Sequence, residues 1–141
     1  LQPFTFGDQL PNIYFFAEVE STMNLGEQLA RDGCPSFTVV IAERQTHGRG
    51  RMRRVWSSEA GGLYMTLILR PELPVMQASL VNLAAAVALN DTLCEDYDIP
   101  SALKWPNDIL VGQRKISGFL SHMVSEGGNG KSSLHWHRAQ C

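Results

Sequence analysis

One long helical pattern constrains the fold of this chain more than any other feature of its sequence. Between Pro74 and about Tyr97, apolar residues recur at the three- and four-residue spacing of a helix. They are Leu80, Leu83, Ala84, Val87, Ala88 and Leu93. The many alanines allow a close approach, so we expect this helix to pack against a sheet. Asp98-Ile99-Pro100 ends it, because proline cannot continue a helix.

Short apolar segments on both sides of this helix predict the strands of that sheet. They span residues 12–19, 37–42, 63–70, 102–105, 109–111 and 114–120. The last two form a hairpin through Gly112-Gln113. A shorter helix begins at Ser21-Thr22 and stops at Gly33. This order predicts an α+β fold, with a mixed, mainly antiparallel sheet and helices on one face.

Composition narrows the classes of function. The length of 141 residues fits one domain, and the formal net charge of -2 argues against bulk affinity for nucleic acid. No apolar run reaches the length of a membrane span, and the N-terminus has no basic region typical of a signal peptide. The missing Met predicts that the chain begins inside a longer one. Cys34, Cys94 and Cys141 match no metal-ligand or disulfide pattern, which favours a reducing cytoplasm.

An arginine- and glycine-rich segment, residues 43–56, follows the predicted strand 37–42. Its glycines let the backbone approach a ligand closely, and its arginines are permanently charged donors suited to phosphate or carboxylate. A nucleotide-handling loop is one interpretation. An arginine-rich surface loop and a nucleic-acid patch are the others, and this segment alone leaves all three open. His47 lacks a second ligand at metal spacing.

Two further polar clusters lie where predicted elements begin or end. Ser21-Thr22 stands at a helix start, which favours either a plain N-cap or a site for a polar ligand group. Lys104 ends a strand, and Asn107-Asp108 follows at once, as oxygen ligands for Mg²⁺ or as an Asx turn. Lys115 on the next strand could reach the same site or lie on the surface. Trp56 is either an adenine-stacking platform or a core residue.

Four motifs, in this order, closely resemble the catalytic domain of biotin–protein ligases, in the biotin/lipoate protein ligase family. They are Ser-Thr-Met-Asn at 21–24, Gln-Thr-His-Gly-Arg-Gly-Arg…Trp at 45–56, Lys-Trp-Pro-Asn-Asp-Ile at 104–109 and Arg-Lys-Ile-Ser-Gly-Phe-Leu at 114–120. The resemblance covers roughly residues 12–123. It implies a class II synthetase-like domain that activates biotin with ATP as biotinyl-5′-AMP. The biotinyl group then passes to a lysine of a biotin carboxyl carrier protein.

The resemblance also implies roles for individual residues. The implied biotin contacts are Ser21, Thr22, Met23, Gln45, Arg49, Gly50, Arg51 and Lys104. The implied nucleotide contacts are Trp56, Asn107, Asp108 and Lys115. Arg49, Arg51 and Lys104 would be catalytic, and Mg²⁺ would arrive with ATP. The sequence leaves open whether the protein forms a homodimer. Nucleic acid would be a partner only if a helix-turn-helix preceded residue 1.

This chain departs from the family pattern at two places. The family usually has a glycine near Arg53, where Met52-Arg53 stands here. After residue 131 the family continues with an apolar-apolar-Gly-Ile-Gly-x-Asn strand, but this chain ends in Leu-His-Trp-His-Arg-Ala-Gln-Cys. Codons for that tail, read one base later, permit Phe or Tyr, Ile, Gly, Ile, Gly, Leu and Asn. We therefore hypothesise a frameshift near Lys131, and expect a lost core strand and an unpaired sheet edge.

The predicted organisation is a linker at 1–11, an incomplete catalytic domain at 12–124 and a loop with an aberrant tail at 125–141. A metal pair of His135 and His137 with Cys141 is an alternative interpretation of the tail. Other interpretations of the whole are a biotin-binding transcriptional regulator fragment, an inactive remnant and a lipoate–protein ligase. The last lacks support because its Arg-Arg-x-x-Gly-Gly-Gly signature is absent.

Overall fold

The computed structural model describes residues 12–70, 77–126 and 131–138, and side chains as far as Met123 except those of Arg53, Ala78 and Ser79. The helices are α1 (Thr22–Arg31) and α2 (Ala78–Glu95). The strands are β1 (Ile13–Phe16), β2 (Thr38–Ala42), β3 (Gly48–Arg49), β4 (Val55–Trp56), β5 (Tyr64–Leu69), β6 (Ser101–Lys104), β7 (Asp108–Val111), β8 (Arg114–Glu126) and β9 (Lys131–Arg138). A single 3₁₀ turn, Arg51–Arg53, joins β3 to β4.

Seven of these strands form one sheet in the order β1-β2-β5-β9-β8-β7-β6. The β1–β2 pair is parallel, and the other five pairs are antiparallel. The β7–β8 pair is the hairpin predicted from the Gly112-Gln113 turn. β3 and β4 form a separate small hairpin. The predicted α+β class with a mixed, mainly antiparallel sheet is therefore confirmed.

The two helices, however, pack on opposite faces of the sheet rather than on one. Thr66 of β5 donates its hydroxyl hydrogen to Thr22 of α1, at 3.0 Å. On the other face, Asn82 of α2 donates to Ser121 of β8, at 2.8 Å, and Ser121 lies in register with the neighbour of Thr66, Leu67, across β9. Successive strand residues point to opposite faces, so α1 covers one face and α2 the other.

The core beneath α2 uses only part of the predicted apolar stripe. Ala86 and Leu93 are buried against Ile109 of β7 and Phe119 of β8. The stripe residues Leu80, Leu83 and Val87 are instead exposed, at 57%, 41% and 38%. A helix that is apolar on nearly all sides gives no single buried face from spacing alone. Within the described residues, neither helix is long and apolar enough to cross a membrane.

The last described segment occupies the middle of the sheet. β9 pairs with β5 through residues 134–138 and with β8 through residues 131–138. The expectation of a lost core strand and an unpaired edge is therefore wrong, because the tail itself supplies the strand. The predicted loop 125–130 also begins later, since β8 continues to Glu126. Residues 127–130 and Cys141 lie outside the described residues. The side chains of His135 and His137 lie outside the described side chains, so their interpretation as a metal pair with Cys141 stays untested. The frameshift stays a hypothesis.

Candidate active site

The arginine–glycine segment folds as a hairpin rather than as an open loop. Gly48 pairs with Trp56, and a side chain at Gly48 would collide with the Ser58 hydroxyl and the Trp56 carbonyl. Gly50 then donates its N–H to the Arg54 carbonyl at 2.8 Å. Met52 adopts a left-handed conformation, with φ 56° and ψ 38°, at the tip. The hairpin thus holds its arginines on a defined backbone.

Gln45 connects this hairpin to the start of α1. Its Oε1 accepts from the backbone N–H of Thr22 at 2.8 Å and from the Thr22 hydroxyl at 3.1 Å. Its Nε2 donates to the Ser58 hydroxyl at 2.9 Å. Gln45 is only 8% exposed, and Thr22 is fully buried. The Gln45 amide therefore fixes the helix start and the hairpin relative to each other.

The hydroxyl of Ser21 stands at the same helix start and is not used for capping. Ser21 occupies the N-cap of α1, yet its side chain makes no capping hydrogen bond. The Ser21 Oγ atom is buried and has no hydrogen-bond partner among the described residues. Burying an unpaired hydroxyl costs about 1–3 kcal/mol. A ligand group that bonded to Ser21 would remove that cost, which distinguishes Ser21 from a plain N-cap.

Next to this helix start lies a cavity of about 460 Å³. It is lined by the hairpin on one side and by β7, β8 and the turn before them on the other. The lining residues are Gln45, Arg49, Gly50, Arg51, Met52, Arg54, Val55, Trp56, Asn107, Asp108, Lys115, Gly118, Phe119 and Leu120. Three arginines and one lysine face a single carboxylate there, so the cavity favours an anionic ligand.

Two of the arginines are held by polar neighbours. Arg51 donates to the side-chain oxygen of Asn107 at 2.8 Å, and Asn107 in turn donates to the Phe119 carbonyl at 2.9 Å. Arg49 lies 3.4 Å from the Glu27 carboxylate of α1. The side chain of Arg54 makes no hydrogen bond or ion pair within the described part of the chain, although its backbone bonds to Gly50 and Arg51. Arg51 is therefore oriented across the cavity from the hairpin to the β6–β7 turn.

The opposite wall is built around Lys115. Its ammonium lies 2.6 Å from Asp108 Oδ1 and 4.9 Å from the centre of the Trp56 ring. The indole N–H of Trp56 is buried and unpartnered among the described residues. A cation over an aromatic face is attracted by the ring quadrupole. The same ring face is the surface on which a nucleotide base could stack.

The structure brings most of the predicted site residues together, with one exception. Arg49, Gly50, Arg51, Gln45, Trp56, Asn107, Asp108 and Lys115 all line the cavity. Ser21, Thr22 and Met23 are buried at the start of α1, which Thr22 connects to the cavity-lining Gln45. Lys104 does not line the cavity; it is exposed, and its side chain has no polar partner in the described residues. It lies opposite Asp108 in the β6–β7 pair.

Sequence reasoning missed several residues that shape this site. Ser58 holds Gln45, and Glu27 holds Arg49. Arg54 is a third cavity arginine, and Gly118 lies directly beneath Lys115. Glu27 could have been found as the carboxylate five residues after Thr22 on the same predicted helix. No local signal marks Ser58, because its partner is 13 residues away.

The described residues contain no group of three or more His, Cys, Asp or Glu side chains that could enclose a metal ion. Asp108 is the carboxylate among the cavity-lining residues. A metal held by a single carboxylate and by the oxygens of a bound phosphate is the arrangement typical of Mg²⁺. The donor set therefore fits a metal that enters with a nucleotide, and does not fit a resident metal cage.

Comparison with known proteins places this geometry in a family. The model of the biotin/lipoate A/B protein ligase family matches residues 15–137. A bifunctional ligase/repressor BirA of Bacillus subtilis is 43% identical over 109 residues, which cover 77% of this chain and 34% of the relative. The chain thus spans about a third of the length of that curated relative.

Two solved structures with bound ligands resemble this fold. Biotin protein ligase from Leishmania major, in complex with biotinyl-5-AMP, superposes with a TM-score of 0.69 at 29% identity, covering 92% of this chain and 57% of that one. Biotin protein ligase from Aquifex aeolicus, in complex with biotin and ATP, gives 0.63 at 36% identity, covering 89% and 51%. Together with the family match, these likenesses confirm the resemblance of the four motifs: the chain belongs to the biotin/lipoate A/B protein ligase family.

Proposed function

We propose that this site activates biotin with ATP, as biotinyl-5′-AMP, and transfers the biotinyl group to a lysine of a biotin carboxyl carrier protein. The observation that carries the proposal is the cavity itself. Gln45, at one end of the cavity, contacts the helix start that carries the buried, unpaired Ser21 hydroxyl, and the rest of the lining holds a cluster of cations beside the half-buried Trp56 ring. A ligand with a polar ring at one end and a carboxylate at the other fits a site with an unpaired hydroxyl at one end and cations at the other. The ligands of the related solved structures, biotin, ATP and biotinyl-5-AMP, support it.

The helix start is the proposed seat for the biotin ring. Ser21 offers a hydroxyl without a protein partner, and the N-terminus of α1 carries the positive end of the helix dipole. Thr22 and Gln45 are already bonded to each other, so they shape the seat. Met23, 3% exposed, supplies apolar packing below it. This division assigns recognition to Ser21 and rigidity to Gln45.

The first reaction step brings two anions together. A biotin carboxylate oxygen attacks the α-phosphorus of ATP, the bond from that phosphorus to the bridging oxygen breaks, and pyrophosphate leaves with the bonding electrons. Arg49, Arg51 and Lys115 line the cavity where the negative charge accumulates. Donors fixed in advance at that position lower the barrier, because they need no reorganisation during the reaction. Arg51 is the best placed, since Asn107 already orients it.

The second step consumes the mixed anhydride. The neutral amine of the carrier lysine attacks the acyl carbon, the acyl–oxygen bond to AMP breaks, and the products are an amide, AMP and a proton. Biotinyl-5′-AMP reacts readily with water, so the hairpin over the cavity is proposed to exclude it. The carrier domain, a dimer and a reducing cytoplasm stay predictions, as does a nucleic-acid partner.

Mg²⁺ is proposed to accompany ATP, and Asp108 is the cavity carboxylate that would help to hold it. When bound, the metal would neutralise phosphate charge and favour departure of pyrophosphate. Asp108 pairs with Lys115 in the free site, so one of its oxygens would exchange a lysine for a metal. Lys104 is proposed to contact the phosphates from the β6–β7 edge, although it does not line the cavity of the free protein.

An exchange assay tests the proposed function. The chain is incubated with ATP and labelled pyrophosphate, and label entering ATP is measured with biotin, with lipoate or with neither. We expect exchange that depends on biotin. Exchange that depends on lipoate would assign the site to the other branch of the family. No exchange, with biotin binding retained in a calorimetric titration, would instead indicate a binding remnant.

A further inference from the structure

The cavity wall contains a lysine whose path depends on the absence of a neighbouring side chain. Lys115 stands on β8 opposite Leu110 of β7, whereas Gly118, three residues further along β8, is opposite Asp108. Yet the Lys115 ammonium reaches Asp108, with 2.6 Å between Nζ and Oδ1. The side chain therefore runs along its own strand and passes directly over Gly118.

Gly118 leaves no room for even one extra carbon along this path. A Cβ atom built on Gly118 would lie 2.8 Å from both Cε and Nζ of Lys115, which is closer than non-bonded atoms approach. The Asp108 carboxylate oxygen would be 3.5 Å away, an ordinary contact. Lys115 is thus the group that an added methyl would displace, and the end of a lysine moves at little cost.

The backbone of Gly118 does not itself require glycine. The glycines with a positive φ in the described residues are Gly33, Gly61 and Gly112, and Gly118 is not among them. An alanine at position 118 can therefore adopt the same strand conformation. What the glycine provides is space for Lys115, rather than backbone freedom.

We propose that Gly118 is a positioning residue of this site, which seats Lys115 between the Asp108 carboxylate and the Trp56 ring. The seated ammonium neutralises the cavity carboxylate and covers the ring face that a base would use. A nucleotide that stacks on Trp56 displaces the ammonium, which is then free to meet the phosphates that arrive with the base. This role in nucleotide binding rests on the proposed function, whereas the position of Lys115 between Asp108 and Trp56 does not.

The seat is tested first in the ligand-free protein. The methylene protons next to the Lys115 ammonium lie over an indole ring, so their NMR signals should shift upfield, and Lys115→Met identifies them by their loss. Gly118→Ala should abolish the upfield shift without loss of the folded spectrum. Ser117→Ala is the matched control. Ser117 is buried on the other face of β8, and its hydroxyl has no partner among the described residues. An unchanged upfield signal in Gly118→Ala would overturn the proposal.

The effect on nucleotide use is tested by a double-mutant cycle in the exchange assay. Gly118→Ala should raise the KM for ATP about tenfold, because the added methyl moves the Lys115 ammonium away from the position beside Trp56 from which it would meet the phosphates. Ser117→Ala should leave the KM within about twofold. In a Lys115→Met background, Gly118→Ala should have no further effect, because the residue it acts through is gone. An equal loss in both backgrounds would overturn the positioning role. If the unmodified chain shows no exchange, the proposed function fails, and the NMR comparison still decides the seat.

Discussion

Gln45 shows how one buried amide sets the chemistry of its neighbours. Its oxygen accepts two hydrogen bonds from Thr22, and its nitrogen satisfies Ser58. At the same helix start, the hydroxyl of Ser21 makes no capping hydrogen bond and has no partner among the described residues, so it is available for a ligand. The resemblance of the motifs implied a direct biotin contact for Gln45. The structure adds a second task, which is to hold the helix and the hairpin together.

Replacing Gln45 by Leu should destabilise the protein strongly. The change leaves the buried N–H of Thr22 without an acceptor, so we expect a loss of about 2–3 kcal/mol in the free energy of unfolding. Urea denaturation followed by circular dichroism measures it. Gln28→Leu is the control, because Gln28 is exposed on the same helix and should change stability by at most about 0.5 kcal/mol. Equal losses in both variants would contradict the bridging role of Gln45.

Among the individual elements, α1 is anchored at its C-terminal end by the residue that follows β5. Arg70, just after β5, donates its Nε–H to the Cys34 carbonyl at 2.9 Å and a terminal N–H to the Ala30 carbonyl at 2.5 Å. These carbonyls lie at and after the C-terminal end of α1, where the last turn lacks partners within the helix. The spacing of apolar residues predicted α1 and its stop at Gly33, but not these hydrogen bonds from Arg70.

Arg70→Leu should therefore lower the free energy of unfolding by about 2 kcal/mol, because two carbonyls lose a charged donor. Arg44→Leu provides the comparison. Arg44 makes an exposed ion pair with Glu18, with about half of each side chain accessible, and such pairs contribute about 0–1 kcal/mol. Thermal unfolding of both variants measures the difference. The anchoring role of Arg70 would be wrong if the two melting temperatures fell equally.

The tip of the β3–β4 hairpin has a residue in an unfavourable conformation. The sequence directed attention to Arg53, where the family usually has glycine, but the left-handed residue is Met52. That conformation costs an ordinary residue about 1–2 kcal/mol, and glycine adopts it freely. Met52 is also 83% exposed, so its side chain gains little from packing.

Met52→Gly should consequently stabilise the protein, by about 1 kcal/mol. Val55→Gly is a matched control on the same hairpin. Val55 is similarly exposed, at 84%, but lies in a strand, so glycine there should destabilise by about 0.5–1 kcal/mol. Chemical denaturation of both variants gives the two signs. A destabilised Met52→Gly variant would show that the left-handed tip is not a source of strain.

The strands and helices of this fold could be predicted from the sequence better than their arrangement. Periodicity located both helices and the main strands, because each leaves a repeating pattern over neighbouring residues. It placed both helices on one face, although Thr66 and Ser121 show them on opposite faces. It also chose Leu80 and Leu83 as core residues, and both are exposed. Faces and burial depend on partners distant in the chain, which local spacing does not record.

The candidate site shows the same division. The ordered motifs predicted a set of residues, and all but Lys104 lie in or beside one cavity. Ser58, Glu27 and Arg54 were not predicted, since their part in the site comes from the β3–β4 hairpin geometry. Sequence motifs indicate the residues whose side chains would contact a ligand. The groups that orient them become visible only when the chain is folded.

For the whole molecule, the decisive element is β9, which joins two parts of the sheet. β5 and β8 have no pairing with each other and are connected through β9. A chain that ends after Gly130 should therefore lose cooperative unfolding, whereas a chain that ends after Arg138 should keep it. Circular dichroism during thermal unfolding distinguishes the two. Cooperative unfolding of the shorter chain would show that β9 is dispensable and that the sheet closes in another way.

We propose that this chain forms an acyl-adenylate of biotin in the cavity under the hairpin. Mass spectrometry of the protein after incubation with biotin, ATP and Mg²⁺ detects that species directly. We predict biotinyl-5′-AMP with the unmodified chain and with Arg31→Gln, which changes an exposed arginine far along α1. Arg51→Gln should lower its rate of formation about 100-fold, because an oriented donor to the developing charge is lost. Absence of biotinyl-5′-AMP from the unmodified chain, or equal formation by Arg51→Gln, would contradict the claim.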